Sequence, residues 1–206
     1  MTKQTVALFD VAGTLVGSNP WEYVRQHPDV DEKRVKAALL RFLPVYIARK
    51  LKLVSDETFR DRWLRQMARL FEGWTRAQLK ALFDDIVQIN MRDDFFGDVL
   101  DRLRQHTADG VQVVLVSGMF TELVQAFADH SGAHIAIGTR LQFEGDRCTG
   151  RIDEPTCVGP RKLELLRAYL SAQPQQTDWD SSYAYADSRS DIPLLSSVGH
   201  GVVTHP

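Results

Sequence analysis

Three apolar runs in this chain end on residues able to do chemistry. The run "ALF" ends at Asp10, "VQVVLV" at Ser117-Gly118, and "YAYA" at Asp187, with Asp191 four residues on. Lys162 stands near the start of the amphipathic stretch "PRKLELLRAYL", and Gly13-Thr14 follow Asp10 within a single turn. Two or three carboxylates brought to one crevice repel one another unless a cation lies between them. Hard oxygen ligands with room for waters suit Mg²⁺. A hydroxyl, a lysine and the N–H groups of a helix N-terminus beside that cation make a receptor for a phosphoryl group. The chemistry on offer is a carboxylate nucleophile, a metal, and charge stabilisation for a transferred group. Lys162 sits at the positive end of a helix, where a cation is unfavourable, which points to an anionic partner.

For these residues to meet, the runs that carry them must lie side by side, because ligands of an open parallel sheet sit outside the carboxyl ends of its strands. The periodicity supports that arrangement. "TVALFD" reads as a strand, and everything from about Trp21 to Met91 reads as helix. Within that span "DEKRVKAALLRFL" has helical spacing, "SDETFRDRWLRQMARLFEGW" starts from a Ser55 cap, and "TRAQLKALFDDIVQI" opens on a Thr75/Gln78 capping box. Strands and helices then alternate. The helix "GDVLDRLRQHTADG" ends at Gly110, "VQVVLVSG" is a strand, and "MFTELVQAFADHSG" a helix. "HIAIGTRLQFEGDRCTGRI" reads as a strand followed by a hairpin-like excursion; the Lys162 helix, the strand "SSYAYAD", a short helix from about Asp191 and the strand "GVVTH" complete the chain. The fold class predicted is α/β: a Rossmann-like parallel sheet with helices on both faces, right-handed crossovers and an inserted all-helical cap. The core takes residues 1–17 and 92–206 and the cap residues 18–91, with hinges at Gly17–Pro20 and Arg92–Gly97. The most apolar stretch, "AALLRFLPVYIA" (Ala37 to Ala48), is too short for a bilayer and is broken by Arg41 and Pro44, so a kinked core helix is expected.

Composition narrows the partners. With 206 residues, 44% of them hydrophobic, the chain can bury one good core and a modest appendage. A net charge of −2 with both signs interspersed gives no electrostatic footprint for nucleic acid. Cys148 and Cys157 form no C-x-x-C pair, and no basic-apolar leader precedes the first strand, so a reduced, cytoplasmic protein without a membrane partner is expected. The oligomeric state is left open.

The order D-x-x-G-T, V-S-G, a lone Lys, then D-x-x-x-D resembles the haloacid dehalogenase-like superfamily. The helical insertion after the first motif, "LVSGMF" and "YAYADSRSDIPLL" resemble its phosphoserine-phosphatase-like branch. The resemblance implies that Asp10 attacks phosphorus to form an aspartyl-phosphate. It implies that Asp10, Asp187 and the backbone carbonyl of Ala12 ligate Mg²⁺, with Asp191 supporting the metal's waters or orienting Lys162. Ser117, Gly118 and Lys162 would hold the phosphoryl oxygens, Thr14 would shape the loop beside the nucleophile, and the helical insertion would close over the substrate. Asn19, Trp21, Glu22 and Arg25 are the expected leaving-group contacts, with Met119 and Phe120 beyond the serine. The substrate expected is a small phosphorylated metabolite, phosphoserine or another amino-alcohol phosphate being one member of a wide set.

One position departs from the pattern. Phosphatases of this superfamily carry a second aspartate where this chain has Ala12, and a methyl group neither protonates the leaving alcohol nor activates water. General acid–base help is typically worth about 10²- to 10⁴-fold. Three readings follow: an introduced substitution in an ordinary phosphatase, a phosphonate-cleaving relative using a cap lysine (Lys33, Lys36, Lys50, Lys52 or Lys80), or a silent protein that binds a phosphorylated ligand or a partner. The first makes the chain a Mg²⁺-dependent phosphatase weakened in turnover.

Overall fold

A computed structural model describes residues 3–205. β1 (Lys3–Gln4) and β2 (Val6–Phe9) open the chain. Four helices follow: α1 (Pro20–Gln26), α2 (Glu32–Lys50), α3 (Asp56–Ala68) and α4 (Arg76–Asp85), the last running into a π-helical turn at Ile86–Asn90. α5 (Gly97–Ala108) leads to β3 (Gln112–Phe120), α6 (Thr121–Ser131) and β4 (Ile135–Thr139). After them come the hairpin β5 (Leu141–Glu144) and β6 (Arg147–Ile152), then α7 (Arg161–Ser171) and β7 (Gln176–Thr177). β8 (Tyr183–Ala186), α8 (Ile192–Leu195) and β9 (His200–Val203) finish the chain.

The central sheet is all-parallel in the order β4-β3-β2-β8-β9. A strand covered on both faces reads as a continuous apolar run, and the side-chain period of two then divides it between two cores. Ala7 and Phe9 of β2 go to one side with Val113 and Leu115 of β3, while Val6 and Leu8 go to the other with Val114 and Val116. The first side is covered by α5 and α6 through Leu103, Leu123 and Phe127, and the second by α7 and α8 through Leu166, Leu170 and Leu194. The first core runs on into the helical insertion through Leu64, Met67, Leu79 and Phe83, and α4 lies against α6. Each insertion helix starts on a side-chain cap: Asn19, Asp31, Ser55, and the reciprocal Thr75–Gln78 box that the sequence predicts.

Two elements differ from expectation. β3 does not stop at Gly118 but continues to Phe120, which pairs with Thr139 across a register shift. Gly138 permits this close approach, since a Cβ there would lie 2.7 Å from the Met119 carbonyl oxygen. The stretch Ala37 to Ala48 is not a core helix. It belongs to the single helix α2, which passes through Pro44 and buries only Val35, Ala38 and Phe42, leaving Leu40 71% and Leu43 47% exposed. Among the described residues no helix is long and apolar enough to cross a membrane.

Beneath the sheet's centre Phe9 stacks on Tyr185 with ring centroids 4.4 Å apart, and His106 Nε2 lies 2.9 Å from the Tyr185 hydroxyl. Burial, helped by Arg102, pushes the His106 pKa below its ordinary 6.5, and burial with Arg104 and Arg92 does the same at His130. The unfolded chain therefore takes up protons near pH 6.5 that the folded chain accepts only at lower pH. Stability is full above that value and falls as pH drops below it. Thermal unfolding followed across pH should show this limb, and His106→Gln, which keeps a hydrogen-bonding group facing Tyr185, should flatten part of it.

Candidate active site

The carboxyl ends of β2, β3 and β8 open on one crevice. Asp10 follows β2 directly, and its N–H still belongs to the sheet, donating to the Tyr185 carbonyl at 3.0 Å. The chain then tightens: the N–H groups of Thr14, Leu15 and Val16 all donate to the Val11 carbonyl. Gly13 is needed here for two separate reasons. Its φ of 87° lies in the left-handed region, and a Cβ on it would stand 2.4 Å from Asp187 Oδ2. Thr14 Oγ1 donates to Asp187 Oδ1 at 2.9 Å, so this hydroxyl orients a carboxylate.

Lys162 enters from the first turn of α7, and its Nζ donates to Asp10 Oδ1 at 2.8 Å and to Asp191 Oδ1 at 2.7 Å. All three side chains are buried. The anionic partner expected for this lysine is thus supplied by the chain itself. Burial pushes the Lys162 ammonium pKa down, but the two carboxylates outweigh it and hold it above the ordinary lysine range. At Asp10 burial pushes the carboxyl up, Lys162 pulls it back, and Asp191 pushes it up again, leaving it above the usual value. Asp10, Asp187 and Asp191 each offer an oxygen, all within 4.8 Å of one another. One ammonium cannot neutralise three carboxylates. The donor set, all hard oxygens around a residual negative charge and with Asp187 only partly buried, fits Mg²⁺ with some of its waters retained.

These residues form one end of a cavity of about 680 Å³. Asp10, Ala12, Ser117, Gly118, Lys162 and Asp187 line that end, while Thr14 and Asp191 stand behind it. Of the residues expected to read the leaving group, Asn19, Trp21, Arg25 and Met119 border the cavity. Asn19 also caps α1 through its Oδ1, and Arg25 lies one turn beyond Trp21, sharing its face. Glu22, next to Trp21, is turned away on the exposed face of α1 and does not border the cavity. Phe120 is buried against Trp21 with ring centroids 5.1 Å apart, behind the wall. None of Lys33, Lys36, Lys50, Lys52 and Lys80 borders it.

Sequence reasoning missed the far wall, which α2 and α3 supply through Leu39, Phe42, Leu43, Tyr46, Phe59 and Trp63, with Arg60 beside them. The signal was present in the spacing 39, 42, 43, 46, which marks one helix face. Cys157 touches the cavity, but burial pushes its thiol up to about 12, which makes it inert as a nucleophile.

Comparison with known proteins agrees with this geometry. The haloacid dehalogenase-like hydrolases match the chain over residues 7–196. A probable phosphatase of Mycobacterium tuberculosis is 28% identical over 152 residues, covering 74% of this chain and 52% of that one. A phosphoserine phosphatase of the same organism is 27% identical over 202 residues, covering 97% of this chain and 64% of that one. The chain thus spans between 52% and 64% of the length of these two relatives. A crystal structure of a protein of unknown function from Bordetella pertussis Tohama I shares the fold at 21% identity, with a TM-score of 0.80 over 100% of this chain and 92% of that one. With strand ends, buried lysine and family match in agreement, the chain belongs to the haloacid dehalogenase-like hydrolases.

Proposed function

We propose that the chain is a Mg²⁺-dependent phosphatase-type hydrolase of a phosphate monoester, with Asp10 as nucleophile and with turnover slowed by Ala12. One observation carries this reading: Asp10, Ser117, Lys162 and Asp187 line the same end of one cavity. In the reaction the Asp10 carboxylate attacks phosphorus, the ester oxygen departs as an alkoxide that takes its proton from solvent, and water then hydrolyses the aspartyl-phosphate to free Asp10 and phosphate. Lys162 and Ser117 hold the phosphoryl oxygens, and the Gly118 N–H helps. Thr14 fixes Asp187, and Asp191 fixes Lys162, so that both face Asp10. Mg²⁺, held by Asp10, Asp187 and the Ala12 carbonyl, would neutralise charge on the transferred group. The helices of residues 18–91 act as a cap, and Asn19, Trp21 and Arg25 meet the leaving group.

A second reading keeps the binding chemistry and drops the turnover. Among the described residues the only carboxylates lining the cavity are Asp10 and Asp187, so no further acid in the lining replaces the one that Ala12 lacks. This supports a protein that holds a phosphorylated ligand without cleaving it.

The two readings separate on Ala12→Asp. Phosphate release from an alkyl phosphate in Mg²⁺ should rise about a hundredfold or more, since an alkoxide needs its proton, and rise much less for an aryl phosphate. No release by either chain while inorganic phosphate still binds would establish the silent reading. The metal is tested without turnover. Mg²⁺ at about a hundredfold excess over its Kd should raise the melting temperature by roughly 5–10 °C. Asp187→Asn and Gly13→Ala should each lose most of that shift, the first by removing a ligand and the second by displacing it.

A further inference from the structure

We propose that the leaving group is apolar and extended, making the substrate an amphiphilic phosphate monoester; this deepens the phosphatase reading above and rests on it. The walls of the cavity beyond the carboxylates are aromatic and aliphatic. Phe42 packs edge-on against Phe59 and Trp63 with ring centroids 4.9 and 5.0 Å away, and Trp21 joins them in the lining. A cavity of about 680 Å³ with this lining suits an apolar body held at one polar end.

The charges in the wall offer an amino-alcohol leaving group no ion pair. Among the described residues the only carboxylates in the lining, Asp10 and Asp187, lie at the phosphoryl end, so an ammonium on the leaving group would have no ion-pair partner in the rest of the wall. Glu22, which stands close in sequence, faces away. Each of the two arginines of the wall is held in place by one hydrogen bond to the protein. Arg25 lies over the Trp63 ring at 5.8 Å and donates Nε to the Trp21 carbonyl, and Arg60 donates to Ser190 Oγ at 3.2 Å.

The apolar wall does not stop at the cavity mouth. Leu39, Leu43 and Tyr46 line the cavity and are still 37%, 47% and 46% exposed. On the adjoining face of α2, Leu40 and Ile47 are 71% and 50% exposed, so the apolar lining continues from the cavity out over the helix. Contiguous exposed apolar surface of this kind marks a binding site, and here it gives a path for a chain longer than the cavity.

The test uses the chain as it stands, because Ala12 lets substrates be titrated as ligands. Inorganic phosphate and ethyl, hexyl and decyl phosphates are titrated calorimetrically in Mg²⁺, with decyltrimethylammonium as a control that has the chain without the phosphate. Affinity should rise about three- to fourfold per methylene until the chain passes the mouth. Leu43→Gln, at a half-exposed position, should lose about tenfold for decyl phosphate, with the Mg²⁺-induced melting shift reporting that the fold stands. Repeating the titration with decyl phosphate as monomer and in phosphatidylcholine vesicles tells whether the chain is taken from solution or from a bilayer; binding in either form supports the assignment. Equal affinity for inorganic, ethyl and decyl phosphate would overturn the apolar leaving group and leave the phosphatase reading standing. Equal binding of decyl phosphate and decyltrimethylammonium would reduce the apolar surface to surfactant adhesion and also overturn it. Failure of inorganic phosphate and every ester to bind would remove both.

Discussion

A lysine ammonium buried between two carboxylates is the interaction on which the rest of the molecule is arranged. Burying Asp10, Lys162 and Asp191 singly would be prohibitive, and removing one partner from such a set typically costs about 3–5 kcal/mol. The set therefore pins the end of β2, the first turn of α7 and the turn before α8 to one another, although 152 and 29 residues of chain separate the bonded pairs. It also leaves a charge imbalance. Two carboxylates share one proton-rich partner, and Asp187 adds a third acid beside them. Stabilising the fold at this point and creating an appetite for a cation are one and the same arrangement.

Ala12 shows how loosely chemistry and folding are tied here. The residue is exposed at the cavity's edge, and the loop around it is held by backbone bonds onto Val11 and by the freedom of Gly13. Nothing in that scaffold uses the side chain at position 12. The side chain at position 12 can therefore change without disturbing Asp10 or the carboxylate cluster, whereas a Cβ on Gly13 next to it would collide with Asp187.

What was legible in the sequence followed strong local rules. Parallel strands covered on both faces announce themselves as apolar runs, and Ser55, Asn19 and the Thr75–Gln78 pair cap helices where their chemistry says they should. The strand-end acids and Lys162 could be found because their order along the chain is informative even when each alone is weak. The rest depended on direction in space. Helical phase separates Glu22 from Trp21 and Arg25, and no composition argument sees it. The partner of Thr14 lies 173 residues away. The stretch from Ala37 to Ala48 looked like core because it is apolar, and it is apolar because it walls a cavity and meets the outside. The extension of β3 to Phe120 needed Gly138, a residue of another strand.

The place of β2 in the sheet has a consequence for how the protein is made. It is synthesised before every other strand of the central sheet, yet it ends as the central strand, flanked by β3 and by β8, whose residues pair with it from more than a hundred positions downstream. At about 5–20 residues per second, roughly ten to forty seconds separate the synthesis of Asp10 from that of Asp191. During that interval an apolar strand waits with an unneutralised acid at its tip, the helical insertion being the first part able to form from local contacts. The Asp10–Lys162–Asp191 cluster thus closes long after β2 is made, and a nascent chain cut short before Lys162 lacks both that cluster and the strand β8 that flanks β2.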